Sequence, residues 1–141
     1  MYLFPKFWIY FWEISNQSTK NEIVGIIYRP NTEPHADIDI FESILCEIMH
    51  IINKEDKQCI IMEDINIDLL KFETHPKTET YLDSIFCNGY LPVIAKPTRI
   101  TASSATLIDH IYTNNITSPE SFWHNYHRRG RSFRHFSHYF N

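Results

Sequence analysis

One twelve-residue stretch, Cys59 to Leu70 (CIIMEDINIDLL), constrains the fold of this chain more than any other. Its first four residues are an unbroken apolar run between polar flanks, which reads as a buried core strand. The run ends on two adjacent carboxylates, Glu63 and Asp64, and its character changes there. Side chains alternate along an extended backbone, so Asp64, Asn66 and Asp68 fall on one side and Ile65 and Ile67 on the other. Carboxylates and an amide at the end of a core strand suit a metal-bound phosphate or a polarised water. A polar strand exit built of Asx turns explains the same spacing equally well. A calcium loop does not. Leu69 stands where its turn needs glycine, and His75 where it needs a bidentate glutamate.

The segments on either side read as alternating strands and helices. Residues 7–14 (FWIYFWEI) and 22–30 (EIVGIIYRP) flank a polar turn and predict an antiparallel hairpin. Gly25 inside the second strand predicts a bulge or a close packing contact. Arg29-Pro30 ends that strand, because proline has no N–H to give to a ladder. From Asp37 to about Asn53, apolar residues recur at three- and four-residue steps (Phe41, Ile44, Leu45, Ile48, Met49, Ile52), the pattern of an amphipathic helix. Asp37 or Asp39 can cap it, with Glu42 completing a capping box. Strand, helix and central strand thus form a βαβ-type unit, whose ligand end is the carboxyl end of the strands. A second helix spans Thr78 to Asn88 and stops at Gly89. Leu91–Ile94 is a short strand, residues 95–104 are a polar connection, and residues 106–113 (TLIDHIYT) form a last strand. In that strand Asp109 shares a side with Leu107 and Ile111. A carboxylate on a face expected to be buried needs a partner.

At 141 residues the chain is long enough for one domain with a real core. With 43% hydrophobic and 21% charged residues it is globular in composition, not disordered. A net charge of −4 excludes nucleic-acid binding by overall charge alone. Residues 122–141, however, hold Arg128, Arg129, Arg131 and Arg134 and no acid, so the first 121 residues carry −8. This end segment has seven aromatics and four histidines and no Ile, Leu, Val or Met. It can bind nucleic acid by charge and stacking, or be a solvated, disordered end. Cys46, Cys59 and Cys87 lie in apolar segments at no zinc-like spacing, which predicts free thiols in a reducing, intracellular compartment. The aromatic first twelve residues are interrupted by Pro5 and Lys6 and are too short to span a bilayer, so no membrane partner is expected.

The order IIYRPN, helix, IIMEDINIDLL, KPTRIT and SATLIDHIYTN resembles the endonuclease/exonuclease/phosphatase superfamily, most of all the endonuclease domain of non-LTR retrotransposons. The resemblance runs from about Glu13 to Ser121. It implies an α/β fold, a four-layer α/β sandwich, and hydrolysis of DNA phosphodiesters with a divalent cation, usually Mg²⁺. It also implies site residues. Asp64 would align or deprotonate the attacking water and Asn66 would contact the phosphate or metal. Tyr28 and Asn31 would contact phosphate, and Asp109 would orient a catalytic histidine.

The departures from the family pattern are equally specific. Glu63 replaces a glycine and sets a second negative charge beside Asp64. No counterpart of the family's asparagine and metal-binding glutamate precedes Phe7, and the terminal Ser-Asp-His motif is missing. The metal ligands are therefore not identified, and the resemblance covers a partial sandwich without its N-terminal half. The expected organisation is a partial domain over 1–121 and a basic aromatic tail over 122–141. The abrupt switch in composition after Phe122 is what out-of-frame translation produces, and a shifted frame of that stretch can encode an apolar strand and an Asp-His pair. The expected function is a metal-dependent endonuclease, truncated and impaired; the alternative is a non-catalytic α/β remnant or interaction module with weak nucleic-acid binding through the basic tail.

Overall fold

The computed structural model describes residues 2–4, 7–15, 17, 20–30 and 38–116. In chain order these form β1 (Tyr2–Phe4), β2 (Phe7–Ile14), β3 (Glu22–Tyr28), α1 (Ile38–Lys54) and β4 (Gln58–Asp64). A 3-10 turn at Leu69–Lys71 then leads into α2 (Pro76–Cys87), β5 (Leu91–Pro92), β6 (Arg99–Ile100), β7 (Ala105–Thr106) and β8 (Asp109–Thr113). Six strands make one mixed sheet in the order β1-β2-β3-β4-β8-β5, in which only β3 and β4 are parallel. The fold is mixed α/β. The expected hairpin is β2–β3, and the expected βαβ unit is β3–α1–β4.

Both helices lie on one face of the sheet. Alternation sets that face: Phe7 and Ile9 from β2, Ile27 from β3, Cys59 and Ile61 from β4, and Tyr112 from β8 are all buried. Helix α1 meets them with Phe41, Leu45, Met49 and Ile52, steps of four, four and three residues along one stripe. The Phe41 ring packs edge-on against Phe7 at 5.5 Å and stacks with Tyr81 of α2 at 6.4 Å. Helix α2 starts at Pro76, earlier than expected, because proline suits a first helical position whose N–H has no partner anyway. Asp39 and Glu42, expected to cap α1, instead tie it to α2: Asp39 pairs with Lys77 and Glu42 accepts from the Ser84 hydroxyl. Asp37 lies outside the described residues, as does the whole 122–141 tail.

Two expectations need correcting. The last strand does not run unbroken from residue 106. Leu107 donates its N–H to Asp68 Oδ1 (2.9 Å), and Ile108 and Asp109 donate theirs to Thr98 Oγ1 (both 3.3 Å), so the ladder is interrupted. Across the end of the polar connection, β6 pairs with β7 as a separate two-stranded hairpin. The sheet has one covered and one uncovered face, and β4 is buried on one face only. The other face of the sheet carries Trp8, Trp12, Ile26, Tyr28 and Ile60, all exposed.

Burial makes this core alkali-sensitive. The thiol of Cys59 is pushed up from 9.0 to about 11 by desolvation, and the Tyr81 phenol is raised by burial and by the nearby Glu63 carboxylate. The folded state therefore keeps protons that the unfolded chain releases. Their contribution to stability is complete below pH 9 and is lost as pH rises towards 11. Urea midpoints are expected to fall steadily from pH 8.5 to pH 11, and less steeply in Cys59→Ala; a flat profile would contradict the burial.

Candidate functional site

The register of the sheet places the candidate side chains before any of them is considered singly. On the open face, Trp8 pairs with Tyr28, Tyr28 with Asp64, and Asp64 with Asp109. These four residues form one row across β2, β3, β4 and β8, at the carboxyl end of the parallel pair. Neighbouring strands stand about 4.8 Å apart, so Asp64 and Asp109 face each other directly. Like charges so placed repel, and the rest of the ladder holds them together. Tyr28, Asp64 and Asp109 line one shallow pocket of about 370 Å³, with Ile26, Met62 and Ile94 as its apolar wall. One oxygen of Asp64, Oδ1, is buried without a hydrogen-bond partner.

The turn beyond β4 is fixed by Arg29. Its N–H donates to the Asp64 carbonyl (2.9 Å), and its Nη1 to the Ile65 carbonyl (2.9 Å). Asn66 closes the triangle by donating from Nδ2 to the Arg29 carbonyl (3.2 Å). It does so from a left-handed backbone (φ 57°), a region that asparagine tolerates better than most residues. Asn66 thus sits just past the pocket with its amide nitrogen turned to Arg29. Asp68 is not part of the row, contrary to the simple alternation expected for residues 64–68. Its Oδ1 accepts from Leu70 N (3.1 Å) and Leu107 N (2.9 Å), the local turn role that aspartate commonly takes. Asn31 lies outside the described residues.

No protein-family model and no curated protein matches this chain. What the site can do rests on its own geometry.

Two expectations about charge change with that geometry. Asp109 is exposed on the open face, so it is not a buried carboxylate in need of a partner. Glu63 does not crowd Asp64, because adjacent residues in a strand point to opposite faces. It enters the helix-covered core, where it meets His110, its register partner on β8. Glu63 Oε1 lies 3.1 Å from His110 Nδ1 and also accepts the Tyr81 hydroxyl. His110 Nε2 is 3.0 Å from the Leu107 carbonyl. A carbonyl only accepts, so Nε2 carries a proton. Nδ1 and Glu63 Oε1 form the buried hydrogen bond across the β4–β8 pair. His110 is 2% exposed, and its ring is on the far side of the sheet from the pocket.

Sequence reasoning missed this buried trio and Arg29, which is 4% exposed. The signal was present. Cys59, Ile61 and Glu63 share one side of β4, and His110 and Tyr112 share one side of β8. Among the described residues no three His, Cys, Asp or Glu side chains converge as metal ligands, and no helix is long and apolar enough to cross a membrane.

Proposed function

We propose that the pocket is the phosphodiester-binding corner of an endonuclease/exonuclease/phosphatase-type domain, with DNA as the polymer and cleavage impaired in this chain. One observation carries the reading. Tyr28, Asp64 and Asp109 come from three separated segments, each singled out by the resemblance, and they meet in one row and one pocket. The finer fold belongs to the same proposal: the sheet and its two helices correspond to two adjacent layers of a four-layer sandwich.

The donor set suits a magnesium ion. Mg²⁺ takes hard oxygen ligands, keeps several waters, and is commonly held by one or two carboxylates. Asp64 and Asp109 would provide these, which would give the unpartnered Asp64 Oδ1 a partner and relieve the repulsion across the row. When bound, such an ion neutralises charge developing on a phosphate. Tyr28 can donate its hydroxyl to a phosphate oxygen from the neighbouring strand. The impaired half of the reading rests on His110. Its ring serves Glu63 and Leu107 inside the core and is turned away from the pocket, so it cannot exchange a proton there. Loss of a general acid or base at such a site costs a factor of about 10²–10⁴ in rate.

Two measurements test this. Calorimetric titration with Mg²⁺ is expected to show one weak site that disappears in Asp64→Ala and in Asp109→Ala; binding unaffected by both would end the reading. Nicking of supercoiled plasmid with Mg²⁺ is expected to be the same for the native chain and Asp64→Ala. Nicking that depends on Asp64 would keep the reaction class and overturn the impairment. The exposed apolar residues of the open face favour a second reading, a non-catalytic interaction module, which predicts neither the Mg²⁺ site nor nicking.

A further inference from the structure

The row that holds the two carboxylates continues into two aromatic rings, and its other end meets a cationic segment. From the structure we infer that Trp8 and Tyr28 form a stacking ledge for an unpaired nucleobase whose phosphate lies at Asp64 and Asp109. This rests on the phosphodiester reading above and names its substrate as single-stranded nucleic acid.

Three observations carry the assignment. The first is spacing. Tyr28 is one strand, about 4.8 Å, from Asp64, and Trp8 is two, on the same face. A base is separated from its own phosphate by one sugar, a span of that order. The second is accessibility. Trp8 is 52% and Tyr28 41% exposed, and their ring centroids lie 5.7 Å apart at a tilt of 46°, so the two rings form one continuous aromatic surface. Stacking on such a surface requires a base that has left its duplex, which is why the partner is a single strand. The third is charge. Thr98 Oγ1 accepts the N–H groups of Ile108 and Asp109, which anchors the segment carrying the exposed Lys96 and Arg99 at the Asp109 end of the row. Across the sheet the row reads ring, ring, carboxylate, carboxylate, and the segment carrying Lys96 and Arg99 adjoins its Asp109 end through Thr98. A strand running along it would set a base on the rings, its phosphate at the carboxylates with a divalent cation, and the next phosphate beside the segment that carries Lys96 and Arg99.

Trp12 provides an internal control. It lies on the same strand and the same open face as Trp8 and is equally exposed at 51%. It pairs with Val24, however, and so stands two open-face rows away from the carboxylates, stacked on Tyr10.

The test uses the full chain with Ca²⁺ or Mg²⁺ and three labelled probes: an oligothymidine, an abasic backbone of equal length, and a duplex of equal length. Fluorescence anisotropy reports affinity and tryptophan quenching reports stacking. The oligothymidine is expected to bind at least about tenfold tighter than the abasic strand, since base–aromatic stacking has effects of about 5- to 100-fold. Trp8→Ala should abolish that preference without weakening the abasic strand, Trp8→Phe should keep part of it, and Trp12→Ala should change neither. Equal binding of oligothymidine and abasic strand, no detectable binding of either, or a preference that survives Trp8→Ala would overturn the ledge. Tighter binding of the duplex would do so as well. Asp64→Ala separates this proposal from the reading beneath it. If the base preference stays sensitive to Trp8 while the cation dependence ignores Asp64, the ledge stands and the phosphodiester site falls. If Asp64 removes the cation dependence and Trp8 has no effect, the reverse holds.

Discussion

His110→Phe is expected to cost about 3 to 5 kcal/mol of folding stability, the range found when one member of a buried ionisable pair is removed. The substitution keeps a ring of similar size at a site 2% exposed, so the loss is polar, not steric. It removes one of the two donors to Glu63, whose Oε2 already has no hydrogen-bond partner, and leaves the Leu107 carbonyl with the Leu69 N–H alone. Glu63→Leu should cost a similar amount, because it leaves His110 Nδ1 and the Tyr81 hydroxyl unsatisfied. Removing the whole polar group is different. In the triple variant Glu63→Leu, His110→Phe, Tyr81→Phe no buried donor or acceptor of the trio remains, and the Leu107 carbonyl keeps the Leu69 N–H. Its cost should fall well below the sum of the singles. Urea denaturation of the four proteins measures this directly. A His110→Phe cost under about 1 kcal/mol, or strict additivity, would show that the trio is not coupled.

The trio also fixes where the candidate site is. Glu63 pairs with His110 in the register step next to the one that pairs Asp64 with Asp109. A slip by one residue would drive Asp64 into the core and Glu63 out of it. A buried polar pair resists such a slip more strongly than an apolar one, because its partners are specific. The triple variant, though expected to be more stable than the sum predicts, should lose that selectivity.

Much of the fold could be read from the sequence because its signals are periodic. Phe41, Leu45, Met49 and Ile52 mark the buried stripe of α1, and FWIYFWEI and EIVGIIY mark a hairpin. The central place of β4 followed from Cys59–Met62. The faces were harder. An unbroken apolar run looks the same whether one side of the sheet is covered or both, and Ile60 is in fact exposed. That ambiguity passed to β8, where Ile111 is as apolar as Tyr112, and so Asp109 was assigned to the wrong environment. Alternation across the β4–β8 pair resolves it, since Glu63 and His110 sit opposite each other in line with Ile61 and Tyr112. The separate β6–β7 hairpin left no comparable signal. Its two-residue strands are too short to show a period, and what interrupts the last strand is a hydroxyl at Thr98 and a carboxylate at Asp68, each accepting backbone N–H groups.

Gly25→Ala is expected to destabilise the chain by about 1 to 3 kcal/mol, although alanine has the better claim to a strand by conformational entropy. Gly25 sits in the middle of β3 with its register neighbours Phe11 on β2 and Ile61 on β4, and the ladder runs through it without a bulge. Of the two sequence expectations for this glycine, the close contact is the one found. The Phe11 ring lies across the open position, and a Cβ on residue 25 would be 2.3 Å from its Cε1 and 2.8 Å from its Cζ. Those are distances that no carbon pair sustains, so the ring must swing away. Phe11 is packed against the core cluster, and the swing takes that contact with it. The cost should therefore depend on the ring and not on the backbone. Phe11→Ala alone should destabilise, by loss of buried ring area, and Gly25→Ala added to it should cost little or nothing further. Thermal or urea unfolding of the two singles and the double closes the cycle. If Gly25→Ala has the same cost with and without the Phe11 ring, the strain lies in the strand itself and the packing account fails.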